Sequence, residues 1–378
     1  MPALLTSPIT LRGLELRNRI VISPMCQYSA TPDGYPTDWH MVQYGRFAVG
    51  GAGLVFVEAT CVTAQGRGTP GDLGLWNDGH IASLARIVDF IHSQGAAVGI
   101  QLGHAGRKAA TRRPWHGGHP LDDGDRAERG EAPWPVIAPS PLAMAEGWPV
   151  PEAMSHDAIE RLKTDYADAT RRALAAGFDA VELHAAHGYL IHEFLSPLAN
   201  TRTDEYGGDR EGRMRLPLEV AQIIRRIWPQ DRPVFVRVSA VDHVDDGLQI
   251  EDTIAFARAL KALGVDVVDC SSGGIVGGAT AGRVPRGPGF QVPYAEAVRR
   301  EAGIASMAVG LITTPQQAES ILQEGRADLI AIGREALENP NWPLHAGRAL
   351  GEEGFDAWPD QHGWWLERRV ASLKASQR

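Results

Sequence analysis

The stretch MAVGLITTPQQAESILQEGRADLIAIGR, residues 307–334, decides the fold. It opens on a short apolar run, Met307–Val309, that breaks at Gly310, and it closes on a second, Leu329–Ile332, that breaks at Gly333. Between them Thr314-Pro315-Gln316-Gln317 has the T-x-x-Q form of a capping box with proline at the first helical position. Ala318, Ile321 and Leu322 follow at helical spacing. Strands that are apolar throughout, rather than alternating, are covered on both faces, as in parallel sheets. The unit is therefore strand, helix, parallel strand.

Outward from this unit the same alternation runs along nearly the whole chain. Candidate strands are Arg19–Ser23, Leu54–Glu58, Ala97–Leu102, Ala180–His184, Val234–Ser239, Val265–Cys270, Met307–Val309 and Leu329–Ile332. Helical faces lie between them: Ile81, Leu84, Val88 and Ile91 before Gly95; Ile159, Leu162, Tyr166, Ala169 and Ala173; Ile254, Ala257, Leu260 and Leu263 before Gly264. Strands alternating with helices through right-handed crossovers predict an α/β fold, a (β/α)8 barrel. A doubly wound dinucleotide-binding sheet would need G-x-G-x-x-G after its first strand, where Ser23-Pro24-Met25-Cys26 stands instead. Three segments fall outside the repeat. Residues 3–18 read as a hairpin closing the barrel bottom, 103–154 as a Gly-, Pro- and Trp-rich loop excursion over the active face, and 351–378 as an aromatic tail with Trp358, Trp364 and Trp365. Since such barrels need about 250 residues and accept insertions, residues 1–378 are expected to form one domain.

Composition narrows the function. The 42 glycines and 25 prolines show no repeat period, which excludes collagen-like and low-complexity chains, and 44% hydrophobic residues can fill a large core. A net charge of −9 disfavours nucleic acid and anionic membrane surfaces as partners. No apolar run approaches the roughly 20 residues of a membrane helix, and the start lacks a secretory signal, so a cytoplasmic protein is expected. Three cysteines, Cys26, Cys61 and Cys270, without a C-x-x-C pair, disfavour disulfides and cysteine-held zinc or iron–sulfur sites.

Chemistry in these barrels sits at the C-terminal ends of the strands. His184-x-x-His187 lies at one such end with no third ligand type nearby, so no metal is expected; two neutral imidazoles can instead donate N–H groups to one oxygen. Tyr189 offers a phenol that can deliver a proton. The alternative for the same three residues is a structural His–Tyr network. Gly310 and Gly333-Arg334 end the last two strands, where barrels commonly bind phosphate. Arg237, in the otherwise apolar VFVRVS, must find either a buried carboxylate or a charged ligand. Gln101 could present an amide to a ring imide.

With those residues in hand, the sequence resembles the Old Yellow Enzyme family of flavin-dependent ene-reductases, in its bacterial branch of xenobiotic reductases and thermophilic-like members. The matching segments are NRIVISPMCQYSA (18–30), GLVFVEATCVTAQGR (53–67), QLGHAGRKA (101–109), GFDAVELHAAHGYLIHEFLSPLANTRTDEYGGDREGRMR (177–215), VFVRVSA (234–240), VGLIT (309–313) and ADLIAIGREALENPNWP (327–343). The resemblance implies non-covalent FMN, with Pro24, Met25 and Ala59 against the ring, Gln101 on its pyrimidine edge, Arg237 near N1 and O2, and Gly310, Gly333 and Arg334 on the phosphate. It implies that His184 and His187 grip a substrate carbonyl or nitro oxygen, that Tyr189 is the proton donor, that Cys26 tunes the flavin, and that Tyr28 lines the pocket. NADPH or NADH would reduce the flavin and an activated alkene would reoxidise it in the same pocket, by ping-pong kinetics. Nitrate esters or nitroaromatics are the alternative acceptors. Leu311 stands where some members carry a pocket aromatic, so a wider pocket is expected. The tail GWWLERR resembles a segment that reaches a neighbouring active site, by Trp365 or Arg368, in a homodimer or homotetramer. Multidomain iron–sulfur relatives are disfavoured by the few cysteines and by the chain ending soon after the barrel.

Overall fold

The structure, a computed structural model, describes residues 3–277, 284 and 286–376. The chain begins with an antiparallel hairpin, β1 (Ile9–Leu11) and β2 (Leu14–Leu16), and enters the barrel at β3 (Ile20–Ile22). There follow α1 (Asp38–Val49), β4 (Leu54–Cys61), α2 (Gly79–Ser93) and β5 (Ala97–Gly103). The excursion after β5 holds α3 (Asp123–Arg129), β6 (Ile137–Ala138) and β7 (Glu152–Ala153). The barrel resumes with α4 (His156–Ala175), β8 (Ala180–Ala185), α5 (Leu190–Leu195), α6 (Arg210–Ile227), β9 (Val234–Ser239), α7 (Ile250–Ala262), β10 (Val267–Ser271), α8 (Val292–Ala297), β11 (Ala305–Ala308), α9 (Pro315–Gln323) and β12 (Leu329–Ile332). It ends in α10 (Arg334–Glu338), α11 (Trp342–Ala349) and α12 (Asp360–Ser376).

The barrel is closed in the order β10-β11-β12-β3-β4-β5-β8-β9, and every pairing in it is parallel. All eight expected strands are present, displaced by at most three residues at an end. β4 runs on to Cys61 because its register with β5 slips between Val57 and Ala59, a bulge that re-aims the residues beyond it. Barrel strands are buried on both faces, which is why they read as unbroken apolar runs.

Helix faces follow the spacing. Ile159, Leu162, Tyr166, Ala169 and Ala173 are all buried on α4, and Gly95 and Gly264 take left-handed φ of +72° and +88° just past α2 and α7. At α9 the Thr314 hydroxyl accepts the Gln317 N–H at 3.2 Å, as the capping box requires. The Gln317 side chain, however, reaches back to the Thr313 N–H at 3.2 Å rather than to that of Thr314.

Inside the barrel, Val21, Leu54, Phe56, Phe235, Val267, Met307 and Leu329 form the bottom layer, with Phe56 and Phe235 edge to face at 5.3 Å. Leu11 and Leu16 of the hairpin belong to the same cluster and close that end, as expected for residues 3–18. The excursion is more ordered than a loop. Asp122 caps α3 reciprocally with Asp125, Arg112 donates to both Asp125 oxygens at 2.9 Å, and β6 pairs with β7. A seven-residue helix capped by an aspartate pair is too short to show an apolar period. The tail, too, is helical: α12 buries only Gly363 and exposes Trp364 and Trp365.

Candidate active site

The C-terminal ends of the strands surround an open cavity of ≈ 300 Å³. Of the residues singled out in the sequence it gathers Pro24 and Met25 after β3, His187 after β8, Arg237 on β9, Gly310 and Leu311 after β11, and Gly333 with Arg334 after β12. Ser23, Ser271, Ser272 and Gln291 also line it; Ser271 and Ser272 stand at a strand's C-terminal end, where candidates are expected, whereas Gln291 carries no spacing signal. Gly310 has φ +121°, and a Cβ there would lie 2.8 Å from Gln291 Oε1, so only glycine fits. Gly333 takes φ −113°, ψ −95°, outside the usual α and β regions.

His184, His187 and Tyr189 come together beside this cavity. The imidazoles meet edge to face at 5.2 Å, and Tyr189 meets His184 at 4.9 Å. Burial, then Arg237, pushes both imidazoles well below the ordinary histidine range, so both are neutral. The His184 Nδ1 accepts the Ala186 N–H at 3.3 Å, which leaves its proton on Nε2. His187 Nε2 lies 2.7 Å from Ser271 Oγ, which itself accepts from Gln291 at 2.9 Å. Burial, then Cys26, raises the Tyr189 phenol, so it holds its proton.

The loop bearing these groups is pinned at each backbone atom. His187 takes φ +61°; its N–H donates to Ser239 Oγ at 2.8 Å, and its carbonyl accepts from Lys108 Nζ at 2.8 Å. The Gly188 N–H donates to His192 Nδ1 at 2.8 Å, and His192 turns Nε2 to Asp242 at 3.0 Å. Although burial opposes it, Asp242 is held below the usual carboxylate range by His192, Ser196 and the Leu248 N–H. Lys108 is a buried ammonium that also donates to the carbonyls of Gly274 and Gly277, tying the loops after β8 and β10 together. Those backbones touch: a Cβ on Gly188 would come 2.2 Å from the Gly274 oxygen. Lys108, His192 and Asp242 lie inside or next to quoted motifs, yet no spacing distinguishes them from ordinary surface residues.

Cys26, Tyr28 and Ala59 stand outside the cavity lining, on the β3 and β4 side. Glu58 fixes the Cys26 segment: it accepts the Gln27 N–H at 2.6 Å and the Tyr44 hydroxyl at 2.8 Å, and His40 Nε2 lies at 3.2 Å. Burial, with Asp72 and Glu58, pushes the Cys26 thiol up, so it is a thiol rather than a thiolate. Tyr28 takes φ +53° and is raised by Cys26 and by burial. The excursion reaches this side, placing Trp115 edge-on to Tyr28 at 5.8 Å and Arg113 Nε on the Tyr28 carbonyl at 3.0 Å.

Below the mouth, Arg237 meets the buried carboxylate that its position allowed. It is paired with Asp269 at 3.1 Å and donates to Ser23 Oγ at 2.9 Å, while its residue still lines the cavity. Gln101 is buried and donates to Glu182 at 2.8 Å. Trp365 does not line the cavity of its own chain; it lies on α12, 66% exposed, against Trp364. Among the described residues, those grouped to share a metal ion are His156, Asp204 and Glu205, none of which lines the mouth.

A parallel eight-stranded barrel with its polar groups collected at the strand ends defines an enzyme of the TIM-barrel class. The chain belongs to the NADH:flavin oxidoreductase / NADH oxidase family, whose model matches residues 4–353. It is 47% identical over 365 residues to NADPH dehydrogenase of Geobacillus thermodenitrificans (96% of this chain, 99% of that one) and 45% identical over 361 residues to that of Bacillus subtilis (95% and 99%). Among solved structures it is similar to morphinone reductase, 27% identical with TM-score 0.75 (94% and 92% covered), and to the old yellow enzyme homologue from Zymomonas mobilis, 28% identical with TM-score 0.74 (94% and 96%). The resemblance to Old Yellow Enzyme read from the motifs holds. The protein is an oxidoreductase whose cofactor is FMN and whose reductant is a nicotinamide dinucleotide.

Proposed function

We propose that the protein reduces the C=C bond of α,β-unsaturated carbonyl or nitro compounds. The observation that carries this reading is the neutral His184/His187 pair beside the protonated Tyr189. The mouth also fits FMN: Gly310 leaves a cradle that a side chain would fill, and Arg334 and Arg237 line the same cavity. On this reading Pro24, Met25 and Ala59 lie against the ring, Gln101 keeps its carbonyl and second N–H for the pyrimidine edge, and Gly310, Gly333 and Arg334 take the phosphate.

Bound FMN supplies hydride to Cβ of the alkene and is recharged by NADPH or NADH. His184 donates its Nε2–H, and His187, with Nε2 accepting the Ser271 hydroxyl, donates its single N–H on Nδ1, to the substrate oxygen, drawing charge off the double bond. Neutral donors hold a neutral carbonyl without competing for a proton. Tyr189 delivers its phenolic proton to Cα, and its raised affinity for that proton keeps it in place until charge develops there. Tyr28 and the thiol of Cys26 flank the site on the β3 and β4 side, and Leu311, in the lining, leaves room for bulky substituents.

NADPH should bleach the bound flavin anaerobically, and 2-cyclohexenone should restore its colour. Bleaching without reoxidation by any activated alkene or nitro compound would leave a reductase of another acceptor. We further propose that α12 carries Trp365 or Arg368 to a neighbouring mouth in a homo-oligomer, because the helix exposes two tryptophans and buries only Gly363. Truncation before Asp360 should then yield a smaller assembly with weaker alkene binding, read by light scattering and KM.

A further inference from the structure

Between the apolar bottom layer of the barrel and its mouth lies a floor of polar side chains: Gln101 on β5, Glu182 on β8, Arg237 on β9 and Asp269 on β10. Glu182 and Asp269 are both 0% exposed, and the floor offers a single cation for two carboxyl groups. That cation is committed: Arg237 Nε faces Asp269 Oδ2 at 3.1 Å, and Nη1 donates to Ser23. Glu182 receives only the neutral amide of Gln101, at 2.8 Å on Oε1, while its Oε2 has no partner. Two ionised carboxylates here would leave a buried excess negative charge whose nearest donor is an amide, which a dry interior does not tolerate.

We propose that Glu182 is a neutral carboxylic acid, and that Asp269 alone carries the negative charge opposing Arg237, so that the floor under the active site is electrically balanced. The groups facing Glu182 agree. Burial and Asp269 drive its proton on, and Arg237 and Gln101 oppose them less strongly. Burial also raises Asp269, but its contact with Arg237 places the shared proton on Glu182. On β8 itself, His184 follows two residues later on the same face and is neutral. A neutral Glu182 matters because the charge seen at the mouth is then that of Arg237 with one counter-ion, not two. It sets the charge behind the site rather than touching the reacting atoms.

Infrared spectroscopy of the purified holoenzyme tests this directly. Read well above the pH at which Glu193 ionises, about 8, a carboxylic-acid C=O band should be present, should vanish in Glu182→Gln, and should move when glutamate carries carbon-13 at its carboxyl but not when aspartate does. Absence of the band means that both groups are ionised, and a shift with labelled aspartate puts the proton on Asp269; either result overturns the assignment. Should Glu182→Gln fail to fold, glutamate-labelled wild type read above the pH at which Glu193 ionises, about 8, answers the same question. The flavin potential is a second readout and rests on the flavin reading, whereas the infrared band does not. An amide replacing a neutral acid should leave the potential unchanged. An ionised Glu182 would instead give Glu182→Gln at least tenfold preferential binding of reduced flavin, a positive shift of about 30 mV, and would overturn the proposal.

Discussion

His184, His187 and Tyr189 were legible because strand end, spacing and chemistry coincide in six residues, and the structure brings the His184 ring within 5.2 Å of the other two. With the phenol acting only in protonation, Tyr189→Phe should slow flavin reoxidation by an alkene about a hundredfold or more while NADPH-driven reduction stays nearly intact. Stopped-flow measurement of the two half-reactions separates them, and equal losses in both would remove Tyr189 from that role. Replacing His184 and His187 together should abolish the charge-transfer absorbance of bound phenols. Because burial and Arg237 keep both rings neutral, that binding should show no inflection near the ordinary imidazole value of about 6.5. Glu182 and Lys108 were not legible at this scale. A glutamate inside AVELHA looks like an outward-facing strand residue, and a lysine after an arginine looks solvated; only closure of the barrel shows that both are buried.

Elements whose ends carry strong local chemistry were the easiest to place. Thr314 and Pro315 mark the start of α9 to the residue, and the eight strands needed only their apolar runs. The excursion was harder, since α3 is held by Asp122, Asp125 and Arg112 rather than by a buried stripe. Connections between elements were invisible, because a hydrogen bond from Lys108 to carbonyls 79 and 166 residues away leaves no mark on spacing. Lys108→Met should therefore free the loops after β8 and β10 from one another. We expect FMN retention and flavin reduction close to wild type, with alkene KM raised on the order of tenfold, and partial recovery in Lys108→Arg. A large fall in FMN content would show that the lysine holds the cofactor site rather than the His187 loop. In the bottom layer, Phe235→Ala removes the edge-to-face partner of Phe56 and should cost about 3–5 kcal/mol in denaturant unfolding.

For the whole molecule, buried ionisable groups make stability depend on pH. Glu193 is buried with Oε2 unpartnered; burial, only partly offset by Arg107, raises its carboxyl to about 8. The unfolded chain loses that proton near 4.5 and the folded one near 8, so between those values the native state binds more protons and stability falls as pH rises. Glu193→Gln, which cannot titrate, should therefore gain on wild type across this window, by a few kcal/mol at most on linkage grounds. Thermal unfolding of both proteins at either end of the window measures the gain; a constant difference would mean that Glu193 does not titrate there. The hairpin β1–β2 has a practical corollary at this scale. It stops the barrel at the end opposite the mouth, and its Glu15 faces outward. Two of the three native thiols, Cys61 and Cys270, are buried, and Cys26 keeps its proton. Glu15→Cys thus offers a thiol handle by which the protein could be moored to an electrode or a bead with its entrance turned toward the solution.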